Sequence, residues 1–150
     1  MDRSQAARTL VPHGDFIVNT FCNPPELARP GGFTHVVRST GNAVLHVAGQ
    51  VAYDSEGNIV GVGDLAAQVA QVYRNLDTAL AAFGASLKDV VKTTIFVRDL
   101  TPEKIATIRR VRAGFLSETE PPASTLVGVQ ALAKPELMLE VEAVAVVEDN

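Results

Sequence analysis

The 150-residue chain has one cysteine, three histidines, no tryptophan and no basic run, and each shortage closes off a class of function. Cys22 alone cannot close an internal disulfide or build a multi-thiolate metal site, and it points to a reducing compartment, the cytoplasm. His13, His35 and His46 share none of the close spacings of a helical zinc site, so no metal is expected. With 13 Lys plus Arg against 17 Asp plus Glu the formal charge is −4, and no basic stripe is available to grip phosphates. Six Phe and two Tyr offer few platforms for stacking bases, so nucleic acid is not an expected partner. The unbroken apolar runs stop at five residues, as in Ala143 to Val147, and Met1 to Asn19 holds no apolar signal core. Neither a membrane span nor an export signal is expected.

What is present suffices for one domain. A chain this long buries roughly 68–70% of its unfolded surface, and its 47% apolar content can fill such an interior. Residues 1–32 read as an arm or docked loop, because Cys22-Asn23-Pro24-Pro25 and Arg29-Pro30-Gly31-Gly32 are dense in turn formers. Residues 33–150 read as a single domain. Phe33 to Arg38 and Val44 to Val51 have strand composition, with Ser39-Thr40-Gly41-Asn42 between them as hairpin chemistry. A helix opens at Asp64 as N-cap and closes at Gly84, and its apolar stripe is Leu65, Val69, Val72, Leu76, Ala79, Leu80 and Phe83. Val90 to Val97, apolar on both faces, predicts an inner strand. Thr101-Pro102 starts a second helix through Ile105, Ile108, Val111, Phe115 and Leu116, which ends before Pro121-Pro122. Ser124 to Val129 and Met138 to Val146 complete the order β-β-α-β-α-β-β. That order predicts an α+β fold, a mixed sheet covered on one face by two helices. The other face then needs a second copy of the chain, so a homo-oligomer is expected.

Few residues could carry chemistry. Glu140 and Glu142 interrupt the last strand at spacing two, which puts both carboxylates on one face. They either reach solvent or an arginine at the sheet edge, or one of them sits in a cleft and handles a proton of water. On the second helix Arg112 falls within the apolar stripe, Arg109 lies at its border and Arg110 points away. An arginine on an apolar face needs a carboxylate. That partner is either a protein side chain such as Glu140 or Glu142, across a subunit boundary, or the carboxylate of a small substrate. His35 in a strand, the hydroxyls of Ser124 and Thr125, and Gly61-Val62-Gly63-Asp64 make no triad and no nucleotide fingerprint.

Several co-linear segments between Phe33 and Val146 closely resemble one family. They are Val47-Ala48-Gly49-Gln50, Gln68, Asn75-Leu76, the stretch Gly84 to Thr94, Val97-Arg98-Asp99-Leu100 and the stretch Leu139 to Ala145. The family is that of the Rid proteins, the YjgF-type reactive intermediate deaminases, also called L-PSP endoribonucleases. The resemblance implies a chorismate-mutase-like α+β fold, a homotrimer with small-molecule clefts between subunits, and no cofactor. It also implies hydrolysis of enamines or imines to a carbonyl compound and ammonia, aminomuconate-type substrates included, on a small carboxylate or carbonyl metabolite. The alternative it leaves open is a non-catalytic ligand-binding or regulatory homotrimer that retains the cleft.

Position by position, the resemblance puts the water-activating glutamate on Glu140. The family's carboxylate-binding arginine follows a Pro-Ala pair, whereas here Pro122-Ala123 is followed by Ser124. A cleft tyrosine falls on Phe33, and a cleft asparagine falls on Arg109. Losing a guanidinium at position 124 removes charge-assisted hydrogen bonds of about 1.5–3 kcal/mol each. Arg109, or Arg112 beside it, is expected to supply that charge from the opposite wall, with Ser124 hydrogen-bonding the ligand and Phe33 lining its apolar side.

Overall fold

The structure is a computed structural model that describes residues 18–25, 27, 29–30, 32–41 and 43–148. Its strands are β1 (Val18–Cys22), β2 (Val36–Thr40), β3 (Ala43–Gln50), β4 (Val90–Arg98), β5 (Ala123–Val129) and β6 (Leu139–Val147); its helices are α1 (Leu65–Ala81) and α2 (Pro102–Arg112). The main sheet runs β3-β6-β4-β5, with β6 antiparallel to both neighbours and β5 parallel to β4. Both helices pack on one face of it, giving the α+β architecture that the order of elements predicts.

The helix boundaries follow from local chemistry. The Asp64 carboxylate accepts the Ala67 N–H at 3.0 Å, which satisfies one of the free donors of the first turn of α1. Gly84, at φ +70°, takes the left-handed geometry that turns the chain away, while the Ala85 N–H reaches the Leu80 carbonyl at 3.1 Å. Thr101 caps α2 through the Lys104 N–H, and Pro102 stands where its missing N–H costs nothing.

Leu65, Val69, Val72, Leu76 and Leu80 of α1 are buried with Val141, Ala143 and Ala145 of β6 and Ile95 and Val97 of β4. Each large side chain so buried contributes about 1.5–3 kcal/mol. Phe83, expected in the same stripe, is 74% exposed. It lies past Ala81, where helical winding no longer aims it at the sheet. Tyr73 is buried instead, stacked on Phe115 at 5.6 Å between ring centres, and this pair ties α1 to the end of α2.

The first strands pair differently from the expectation of a β2–β3 hairpin. β2 forms a separate two-stranded ribbon with β1, in register from Val18 opposite Thr40 to Cys22 opposite Val36. Turn chemistry at Ser39 to Asn42 says that the chain changes direction, but not which neighbour a strand selects. The ribbon is docked at the edge of β5, where the Thr34 N–H bonds the Pro122 carbonyl at 3.1 Å and its hydroxyl the Pro121 carbonyl at 2.6 Å. So the described part of the 1–32 arm docks through a strand; residues 1–17 lie outside the described residues.

No described element covers the sheet face opposite the helices. Val44 and Val127 stand 53% and 38% exposed, and the same face carries Lys92, Thr94, Glu140 and Glu142. Among the described residues no helix is long and apolar enough to cross a membrane.

Candidate functional site

Arg112 ends α2 one turn after Ile108, and the winding that buries Ile108 carries the guanidinium inward with it. It is 6% exposed. Its Nη2 donates to the Gly32 carbonyl at 2.7 Å and its Nη1 to Ser124 Oγ at 3.3 Å. Gly32 holds φ +80°, a conformation in which other residues are strained, and this turns its carbonyl to the arginine. Among the described residues the one ion pair is the surface contact Arg98 to Asp99 at 3.3 Å, so the carboxylate expected to neutralise Arg112 is not supplied within the described chain. A cation in this position gives up hydration and regains only neutral oxygens.

Arg112 lines a cleft of about 390 Å³ together with Arg109, Gly32, Ala113, Leu116 and Pro121. Arg109 is exposed at the rim, and Arg110, also exposed, is not part of the wall. Exposed Glu118 also lines the cleft, which therefore sets two guanidiniums and one carboxylate on a largely apolar wall.

Ser124 enters through strand register. It stands opposite Thr93 in the parallel β4–β5 ladder and shares the helix-covered face with it. Its Oγ accepts from Thr93 Oγ1 at 3.1 Å and from Arg112 Nη1. Both lone pairs are then engaged, and the capacity left to Ser124 is its own O–H, a donor polarised by the guanidinium. Phe33 follows Gly32 directly, but its ring stands edge-on to His35 at 5.3 Å and is not among the residues of the cleft wall.

Glu140 is elsewhere. Leu139 and Val141 of β6 are buried beneath the helices, so by alternation Glu140 and Glu142 project from the uncovered face. The Glu140 side chain lies across Gly49 of β3, where an added Cβ would stand 2.7 Å from its Cδ and 2.8 Å from its Cγ. The absence of a side chain at Gly49 is what gives this carboxyl its place. On the same face Lys92 Nζ donates to Thr125 Oγ1 at 2.7 Å and to the Thr93 carbonyl at 3.0 Å. Burial lowers the pKa of that amine, and the Glu142 carboxylate partly offsets the shift.

The chain therefore brings Arg109 and Arg112 to one cleft with Ser124 hydrogen-bonded to Arg112 but, like Phe33, outside the wall, and sets Glu140 on the opposite side of the sheet. The sequence reading missed two participants, Thr93 and Gly32, and a core residue beside them in the fold, Tyr73. Tyr73 had a usable signal, since it stands four residues after Val69 on the buried side of α1. Nothing in the spacing of Gly32 or Thr93 marks them as partners of residues 80 and 31 positions away. Among the described residues no group of three or more His, Cys, Asp or Glu is placed to hold a metal ion.

Known proteins share this arrangement of elements. The family model described as Endoribonuclease L-PSP matches residues 25–147. A RutC family protein of Pyrococcus horikoshii is 35% identical over 67% of this chain and 77% of its own. The 3-aminoacrylate deaminase RutC of Acinetobacter baylyi is 35% identical over 81% of this chain and 90% of its own. The solved structure of a Rid-family protein of unknown function from Yersinia pestis is 39% identical, covers 86% of this chain and 98% of that one, and superposes with a TM-score of 0.81. The match over most of its length, in sequence and in fold, makes this chain a member of the YjgF/Rid family, the L-PSP endoribonucleases of the family model.

Proposed function

We propose that this protein binds a small carboxylate-bearing enamine or imine and hydrolyses it to a carbonyl compound and ammonia, in clefts formed between copies of the chain in a cytoplasmic homotrimer. The observation that carries the reading is the buried Arg112 guanidinium, which lines a cleft of about 390 Å³ and forms no ion pair with a carboxylate among the described residues. Its remaining N–H donors form a fork suited to a carboxylate, Arg109 adds charge at the rim, and Ser124 offers one O–H to an acceptor. Anchored by its acid group, the ligand presents its C=N carbon to water. Glu140 of a neighbouring copy takes a proton from that water as the water oxygen adds to the carbon and the C=N π electrons move to nitrogen, which receives the proton; the hydroxyl proton of the resulting carbinolamine then passes to the amine as the C=O forms and the C–N bond breaks to release ammonia. The uncovered sheet face bearing Glu140 supports association of copies on that side. The name of the Acinetobacter baylyi relative supports deamination of a small unsaturated amino acid.

One observation favours a second reading. Because Arg112 and Glu140 occupy opposite faces within a single chain, binding needs one copy, whereas this chemistry needs two correctly joined. A ligand-binding homotrimer without turnover would keep the first property alone. Generating 2-iminobutanoate, and separately 3-aminoacrylate, in a coupled assay distinguishes the two. Acceleration of ammonia release over the spontaneous rate, abolished by Glu140→Ala, is the expected result. Absence of any Glu140-dependent acceleration with both compounds leaves the binder.

A further inference from the structure

The cleft that holds Arg112 contains a charge that anion binding leaves unused, the carboxylate of Glu118. Arg109 and Arg112 stand one turn apart at the end of α2, and the chain then folds back so that Glu118 lines the same space. That bend is fixed on both sides of Glu118. The Leu116 N–H returns to the Arg112 carbonyl at 3.1 Å, and the Ser117 hydroxyl accepts the Glu120 N–H at 3.0 Å. Yet among the described residues neither guanidinium forms an ion pair with Glu118. A cavity of about 390 Å³ thus keeps a buried cation and an exposed anion apart, with apolar Ala113, Leu116 and Pro121 in the wall. Both signs of charge are open to whatever enters.

Resting on the anion-binding reading of this cleft, we infer that Glu118 is a specificity-determining residue: it selects acids that also carry a cationic nitrogen, whose carboxylate meets Arg112 while the nitrogen meets Glu118. A ligand with a second negative group is disfavoured, because that group would face the Glu118 carboxylate. Hydrolysis removes the nitrogen from such a ligand. The 2-oxo acid left behind keeps the contact with Arg112 alone, so it is held less firmly than the compound it came from and leaves sooner.

The test uses the full chain and two probes of equal shape, 2-aminobutanoate and 2-hydroxybutanoate of the same configuration, with affinities measured by calorimetry. The unmodified protein should prefer the amino acid. Glu118→Gln, which keeps the shape and drops the charge, should cut that preference about two- to fivefold, the range of an exposed ion pair. Binding of the hydroxy acid should hold or tighten, since a negative charge near its carboxylate is gone. The melting temperature should stay in place, because Glu118 has no ion pair to lose among the described residues. Raising the ionic strength should shrink the preference of the unmodified protein and barely move that of Glu118→Gln. If the unmodified protein does not prefer the amino acid, or Glu118→Gln prefers it equally, while Arg112→Met weakens both probes, the inference is overturned and the anion-binding reading stands. If Arg112→Met weakens neither probe, that reading fails first and the inference goes with it.

Discussion

Replacing Arg112 by methionine separates binding from folding. Two hydrogen bonds to neutral acceptors are lost, Gly32 O at 2.7 Å and Ser124 Oγ at 3.3 Å. Bonds from a charged donor contribute about 1.5–3 kcal/mol each, which sets the destabilising side at about 3–6 kcal/mol. Against this, the variant no longer strips water from an ion without a counter-charge, a penalty of several kcal/mol, and methionine keeps the apolar stem. The opposing terms leave a net change within about 2 kcal/mol, or about 4–8 °C in melting temperature for a chain of this size. Ligand binding has no such compensation. A bidentate guanidinium–carboxylate contact, taken at the low end as two bonds totalling about 3 kcal/mol, corresponds to more than about 100-fold in Kd. Calorimetric titration with 2-oxobutanoate, beside thermal melts of the same samples, reads both quantities. Arg112→Lys should recover part of the affinity by keeping the charge without the fork. An Arg112→Met protein that binds within about threefold of the original refutes the reasoning, as does a melting temperature lowered by more than about 15 °C, which would make the arginine a structural element.

Two further outcomes follow from the same structure. Asp64→Ala removes the N-cap of α1 and should cost about 0.5–2 kcal/mol in chemical denaturation, with Asp64→Asn largely restoring it. The Tyr73 pKa is raised in the fold above its ordinary 10.0, chiefly by burial, so the folded state holds this proton where the unfolded chain releases it. Stability from this group is therefore complete below pH 10 and declines as pH climbs beyond it; melts at pH 9, 10 and 11 should show a shallower decline for Tyr73→Phe.

Several features were legible in the residues alone, because the forces behind them act over one or two turns. Asp64 and Thr101 cap where their side chains can reach the next N–H groups, and Gly84 turns where a Cβ would be strained. Periodicity placed Arg112 on the buried side of α2 and Arg110 on the wet side, and alternation put Glu140 and Glu142 on one face. Phe83 marks where such reasoning stops, since a stripe holds only as long as the helix does.

The sequence by itself determined the α+β class, the starts of both helices and the inner position of β4, all consequences of local sterics and apolar spacing; the ends of the helices, at Ala81 and Arg112, came earlier than the apolar stripes through Phe83 and Leu116 suggest. Only the tertiary structure decided the partners. Whether β2 pairs with β1 or β3 depends on which edges other strands have already taken, and that competition runs between segments far apart in the chain. The same holds for the site. Arg112 meets Gly32 across 80 residues and Ser124 across 12, while Glu140 is turned to the other side of the sheet. No spacing rule encodes those contacts, because they follow from the packing of α2 and the ribbon around β5 and the pleat of β6.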